Sequence, residues 1–247
     1  FAAAALWMTT ALGLLFGVCS ILFADPLIGF FHLNSPQVIQ DAKIYLQITC
    51  GCVVFSFLNQ TFTGIFTAIG NSKAAFLATT TGLFVNIIMD PVLIFGVGPF
   101  PKLGVMGAAI ATVISQFVSA LWAISFLSGK QALIQLKKED MHLSFPLVRE
   151  IVALGLSGFI MNVTNSGVQI VCNATLKLFG GYVYVGAMTI INSLREVAFA
   201  PINGLTGAAQ PVLGFNYGAK EYKRVRQGIV FTSICSVVYT TLIWLCV

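Results

Sequence analysis

Long apolar runs alternate with short polar breaks along this chain. Seven runs stand out, A (2–23), B (44–69), C (75–97), D (104–128), E (151–176), F (183–211) and G (228–247). Each suits a helix of about 20 residues, the length that crosses a hydrocarbon layer of about 30 Å. None shows the strict alternation over about ten residues that marks a barrel strand. Between the runs stand turn-forming or helix-breaking residues: Asp25-Pro26, Gly70-Asn71, Pro99-Phe100-Pro101, Gly129, Gly180-Gly181 and Gln210-Pro211. The pattern predicts an all-α, polytopic membrane protein with seven transmembrane helices.

Composition narrows the class further. Of 247 residues 57% are hydrophobic and only 9% charged, against about 25% charged in an ordinary soluble domain. A soluble globular fold is excluded, and so is disorder, which needs low hydrophobicity and high charge. The net charge of +5 has no clustered basic face behind it, so nucleic acid is not an expected partner; membrane lipids are. The six cysteines form no CxxC pair or Cys/His cluster, and each reads as a small buried residue.

The basic residues set an orientation, because short cytoplasmic loops collect Lys and Arg. One side receives Lys73, Lys130, Lys137, Lys138, Arg149, Lys220, Lys223, Arg224 and Arg226, and the other only Lys43, Lys102 and Lys177. This places the N-terminal end of span A and the 129–150 and 213–227 loops on the cytoplasmic side of a cell membrane. The 129–150 segment is also the longest and most charged connection. It reads as a solvated linker between a first bundle of four spans (1–128) and a second of three (151–247).

Polar groups at membrane depth mark candidate function. In span C, Asn86 and Asp90 are four apart and share a helix face. Pro91 cannot donate to the carbonyl of Ile87 and leaves that oxygen free beside the carboxylate. These are hard oxygen ligands, suited to a proton or a small cation. Thr112 in span D lies as far past the C–D loop as Asp90 lies before it, so antiparallel neighbours would bring the three to one depth, roughly 12 Å from the membrane face. The alternative is a kink-stabilising Asp with Asn86 as interhelical glue.

Three further stripes keep polar residues on single helix faces: Ser56, Gln60, Thr63 and Thr67 in B; Asn162, Asn165, Gln169 and Asn173 in E; Asn192, Glu196, Asn203, Thr206 and Gln210 in F, where Arg195 adjoins Glu196. They suggest a wet substrate cavity built from Gln60, Thr63, Asn162, Asn165, Gln169, Asn192, Glu196 and Asn203; the alternative is hydrogen bonding between helices. Gly13-xxx-Gly17 and Gly104-xx-Gly107 would permit close helix packing. The matches to glycosylation sequons at Asn59 and Asn173 are chance at this depth, and His32 and His142 read as interfacial loop residues. No Walker A, HExxH or GxSxG sequence occurs, so neither an enzyme nor a cofactor is expected.

Two longer stretches carry a resemblance. Asn86-xxx-Asp90-Pro91-Val-Leu-Ile-Phe, followed by Gly104-Val-Met-Gly107-Ala-Ala-Ile-Ala-Thr112-Val-Ile-Ser115-Gln116, is similar to the fifth and sixth spans of multidrug and toxic compound extrusion (MATE) transporters. Gln210-Pro-Val-Leu-Gly214-Phe-Asn-Tyr-Gly218-Ala-Lys-Glu-Tyr-Lys-Arg-Val resembles the loop after that family's eighth span. The resemblance covers essentially the whole chain as spans three to nine of twelve, an internal piece of a longer protein. It implies two six-span bundles in a monomer that exports organic cations and other amphipathic compounds in exchange for Na⁺ or H⁺. In one branch the coupling cation is held by residues matching Asn86, Asp90 and Thr112. Where another branch carries a Glu in the seventh span, Asn165 stands here. A lipid-linked oligosaccharide flippase of related architecture is the alternative; a seven-span receptor fits the helix count but not the orientation.

Overall fold

The computed structural model describes residues 2–30, 35–129 and 145–246. These form eight helices: α1 (Ala2–Leu22), α2 (Ala24–Phe30), α3 (Pro36–Gly51), α4 (Val54–Ala68), α5 (Ser72–Phe95), α6 (Val105–Ser128), α7 (Phe145–Gly218) and α8 (Tyr222–Cys246). The described residues contain no strand. The all-α polytopic membrane class holds. Five helices are long and apolar enough to cross a bilayer, or six if α3 and α4, bent by 45° at Cys52–Val53, serve as one broken span. Span B is therefore two helices.

Spans E and F run on as α7, interrupted at Gly181 by a non-helical backbone (φ 67°, ψ −166°) that glycine adopts freely. An unbroken helix of 74 residues would be about 110 Å long at 1.5 Å per residue, several bilayers deep, so this interruption is what makes the segment usable. The stretch beyond Gly181, which carries Asn192, Arg195, Glu196, Asn203 and Gln210, is not among the five apolar spans.

Two expected breaks do not break. Asp25-Pro26 lies in the first turn of α2, where a proline loses no hydrogen bond; the chain turns just before α2, at Phe23. Gln210-Pro211 lies inside α7. The expected 213–227 loop is accordingly mostly helix, with a turn of only three residues, 219–221, before α8. The expected linker is shorter too, since α7 starts at Phe145; residues 130–144, with His142 and the charged centre of that linker, lie outside the described residues, as does His32.

The turn at 219–221 repeats, bond for bond, the one between α4 and α5. The N–H groups of Ile69, Gly70 and Asn71 donate to the carbonyls of Ile65, Thr67 and Phe66; those of Ala219, Lys220 and Glu221 donate to Phe215, Tyr217 and Asn216. Each is a Schellman ending, which satisfies terminal carbonyls through one left-handed residue. That residue is Gly70 (φ 74°) in the first turn and Lys220 (φ 60°) in the second, 150 positions apart (220 − 70).

Residues 1–149 and 150–247 form two compact units. In the first, α5 and α6 pair antiparallel at close range. A Cβ on Gly107 would lie 2.5 Å from the Leu93 carbonyl oxygen, and one on Gly82 would lie 3.0 Å from the Ser119 Cβ. Farther along the pair, Phe62 and Phe66 of α4, Ala74, Ala75 and Ala78 of α5, and Ala120, Ala123 and Leu127 of α6 form the buried core with Leu6. Phe66 meets Phe126 edge to face at 5.5 Å. Gly13 and Gly17 are buried and bring α1 onto the α3–α4 bend, against Val54 and the carbonyls of Cys50 and Gly51. Gly104 does not pack in this way: it begins α6 with φ 56° and nothing near its missing side chain.

Lys43 lies within α3 and pairs with Asp25 of α2. The expectation of buried cysteines fails. Cys19 is exposed, and Cys50, Cys52, Cys172 and Cys235 are half-buried, because an apolar helix face in lipid needs no protein cover. The second unit makes the same point. None of the apolar window of α7 or α8 is buried by protein, against 33% for α6.

Two stability changes follow. Gly107→Val should destabilise the protein by about 1–3 kcal/mol, since a backbone carbonyl cannot yield to the new side chain. Lys220→Gly should stabilise it by up to about 1 kcal/mol by relieving left-handed backbone. Thermal unfolding of purified variants in a zwitterionic detergent checks both signs.

Candidate functional site: a polar cavity between α4, α5 and α6

The close α5–α6 pairing holds α4 at the third side of a cavity of about 420 Å³. Ser56, Asn59, Gln60 and Thr63 line it from α4, Thr79, Gly82, Leu83 and Asn86 from α5, and Thr112, Ser115, Gln116 and Ser119 from α6. Ten of these twelve carry a hydroxyl or amide, and none carries a charge. The spacings explain the convergence: 56, 59, 60 and 63 form one face of α4, and 112, 115, 116 and 119 one face of α6.

The walls are tied across helices. Asn59 Nδ2 donates to the Gln116 carbonyl at 2.8 Å and to Gln116 Oε1 at 2.6 Å. The buried Ser119 Oγ donates to the Ala78 carbonyl at 2.8 Å. Within α6, Thr112 Oγ1 donates to the Ala108 carbonyl at 2.9 Å and Ser115 Oγ to the Thr112 carbonyl at 2.7 Å. The Thr112 hydroxyl thereby spends its proton and keeps oxygen lone pairs for a ligand.

Two oxygens in this region are buried with no hydrogen-bond partner among the described residues: Asn59 Oδ1, in the cavity wall, and Asp90 Oδ1. Asp90 itself does not line the cavity; it lies one turn beyond Asn86 on the same face of α5. A buried acceptor without a donor costs about 1–3 kcal/mol, more if charged. A small cation or a water would satisfy either oxygen, and a proton would satisfy the carboxyl of Asp90 alone.

Of the expected site residues, Asn86 and Thr112 thus share one cavity with Gln60 and Thr63, with Asp90 adjacent. Those on α7 are not gathered around a cavity. Asn162, Asn165, Glu196 and Asn203 are exposed, and Gln169 and Asn192 half-buried. Asn162 Nδ2 donates within its own helix, to the Gly158 carbonyl at 2.9 Å. A shallow groove on α7 is lined by Thr164, Gly167, Val168, Val171, Cys172 and Thr175 instead.

Six polar cavity residues lie outside the expected site residues: Ser56, Thr79, Asn59, Ser115, Gln116 and Ser119. The signal for the last three was the stripe they form with Thr112. Asn59 was visible only as a chance sequon, and its spacing of three and four from Ser56 and Thr63 was the available cue.

A helical, polytopic membrane protein with a polar cavity enclosed by three of its spans is the class that this fold and site define. The chain belongs to the MatE family, whose model matches residues 1–92 and 158–247. It is similar to the probable multidrug resistance protein NorM of Thermotoga maritima, 30% identical over 228 residues, covering 90% of this chain and 48% of that protein. It is also similar to the FAD transporter of Shewanella oneidensis, at 25% identity over 91% of this chain and 49% of that one. Among solved structures, a MATE protein crystallised in a bent conformation superposes with a TM-score of 0.87 at 22% identity, over 98% of this chain and 53% of that one. This last likeness shows the fold alone. The chain spans about half the length of the curated relatives it matches.

If the cavity is wet, cysteines replacing Thr63 and Asn86 in a background free of native cysteines should react with a membrane-impermeant maleimide. A cysteine replacing Ile88, on the exposed outer face of α5, should not. Equal labelling at all three positions would mean that no distinct aqueous cavity exists.

Proposed function

We propose that this protein exports small amphipathic organic compounds, cationic ones foremost, across a cell membrane in exchange for Na⁺ or H⁺. The observation that carries the reading is the buried, unpartnered Asp90 Oδ1 beside a cavity whose lining is polar but uncharged. The multidrug names of its relatives support the same direction. An intramembrane carboxylate is costly to keep and is usually retained for ion or proton handling.

In this reading Asp90 takes the coupling cation, with Asn86 and the lone pairs of Thr112 as its oxygen partners. Filling that position gives the unpartnered Asp90 oxygen on α5 a partner. The empty and filled states therefore prefer different packings of α5 against α6. Exchange requires such differential affinity between the two states, and alternating access by bundles rocking about a central site is its structural form. Gln60 and Thr63 meet the exported compound on the first unit. Asn162, Asn165, Gln169, Asn192, Glu196 and Asn203 meet it on the second, where Glu196 favours cations. The 129–150 linker and the α7–α8 corner face the cytoplasm, and the protein works as a monomer. A flippase for lipid-linked oligosaccharides would need cations to hold its cargo's anionic group, and the cavity lining supplies none.

The test is transport by the full-length protein in proteoliposomes under an imposed Na⁺ or pH gradient. Asp90→Asn should abolish gradient-driven export while leaving insertion and thermal stability intact; normal export by that variant sinks the assignment. For the second unit, cysteines at Asn165, Gln169 and Asn203 should react with water-soluble reagents and be protected by transported compound. Labelling only by lipid-soluble reagents would make the α7 stripes packing surfaces.

A further inference from the structure

The two matching corners differ in one respect that their shared backbone geometry does not require. Beside the first, between α4 and α5, stands a single cation, Lys73; at the second stand Lys220, Lys223, Arg224 and Arg226, with Glu221 as the one acid. All five are exposed, and among the described residues none of the four cations is in an ion pair. The first corner shows that the turn forms without this charge. It uses glycine in the left-handed position and caps α5 neutrally, with Asn71 Oδ1 accepting the Ala74 N–H at 3.1 Å.

In the second corner each of these economies is reversed. A lysine occupies the left-handed position, and three cations crowd the start of α8, the end where the helix dipole is already positive. Left alone, such charges repel one another. The surroundings indicate what offsets them. Tyr217 and Tyr222 pack edge to face at 5.7 Å and remain exposed, as tyrosines do at the level of lipid headgroups. One helical face then leads from Lys223 to Val230 and Ile234, both exposed and apolar. A ligand that fits has an anionic head and a hydrocarbon tail.

We propose that the α7–α8 corner is a binding site for an anionic phospholipid, whose headgroup phosphate meets Lys220, Lys223 and Arg224 and whose acyl chain lies along Val230 and Ile234. A free phosphate would leave the tyrosines and the apolar face unused, so the ligand is the lipid. The site does not rest on the transport reading; it requires only that the chain sits in a bilayer.

The experiment measures the thermal midpoint of the full-length protein in mixed micelles titrated with phosphatidylglycerol, phosphatidylcholine or inorganic phosphate. Phosphatidylglycerol alone should raise the midpoint. Lys223→Gln with Arg224→Gln should weaken half-saturation by about fivefold per charge removed, leaving the midpoint in phosphatidylcholine unchanged. Lys73→Gln at the other corner should leave the phosphatidylglycerol response intact. An unaltered response in the double variant, an equal loss in Lys73→Gln, or stabilisation by inorganic phosphate would each overturn the site. Should the double variant fail to fold, the salt dependence of the wild-type shift decides. A headgroup site loses its effect as salt rises, and a salt-independent shift refutes it.

Discussion

A backbone N–H or C=O placed in hydrocarbon finds no water, and the rest of this protein follows from that deprivation. It makes the helix the spanning element and removes the hydrophobic effect as a force between helices, since lipid is as apolar as leucine. What remains to hold spans together is close contact and hydrogen bonding. Gly107 against the Leu93 carbonyl, Gly82 against Ser119, and Gly13 and Gly17 against the α3–α4 bend are the places where backbones come near enough for dispersion to count. The Asn59–Gln116 and Ser119–Ala78 bonds add direction to those contacts.

The cavity arises from the same economy. Small residues bring α5 and α6 together, the bulkier Phe62, Phe66 and Leu127 fill the core farther along, and the space between is lined by uncharged polar side chains. Its lining carries no charge, and the adjacent Asp90 leaves an oxygen without a donor. That imbalance is a local cost in the folded structure. It is also the reason a cation or proton arriving there would be felt by α5.

Much of the fold was legible along the chain, because spans of unbroken apolar residues leave little choice: A, C and D agree with α1, α5 and α6 to within a few residues. The break at Cys52–Val53 was not, since the glycine before it, Gly51, sits inside an unbroken apolar run and the bend lies where α1 presses against α3 and α4. Pro26 and Pro211 misled in the opposite sense. A proline's effect depends on where its helix begins, and tertiary context sets that. Within the cavity, Asn86, Thr112, Gln60 and Thr63 were readable from spacing alone. The ties from Asn59 to Gln116 and from Ser119 to Ala78 depend on which helices are neighbours and at what height, and no single-chain periodicity carries that.

The short corner between α4 and α5 has a mechanical meaning. Its three residues are all hydrogen-bonded, so the connection has no slack to absorb a rotation. A tilt of α5 about its cavity face must be taken up by α4, as a hinge pin carries both leaves. The wall bearing Asn59 and Gln60 and the wall bearing Asn86 are thus one leaf, latched to α6 by the bonds from Asn59 to Gln116 and from Ser119 to Ala78.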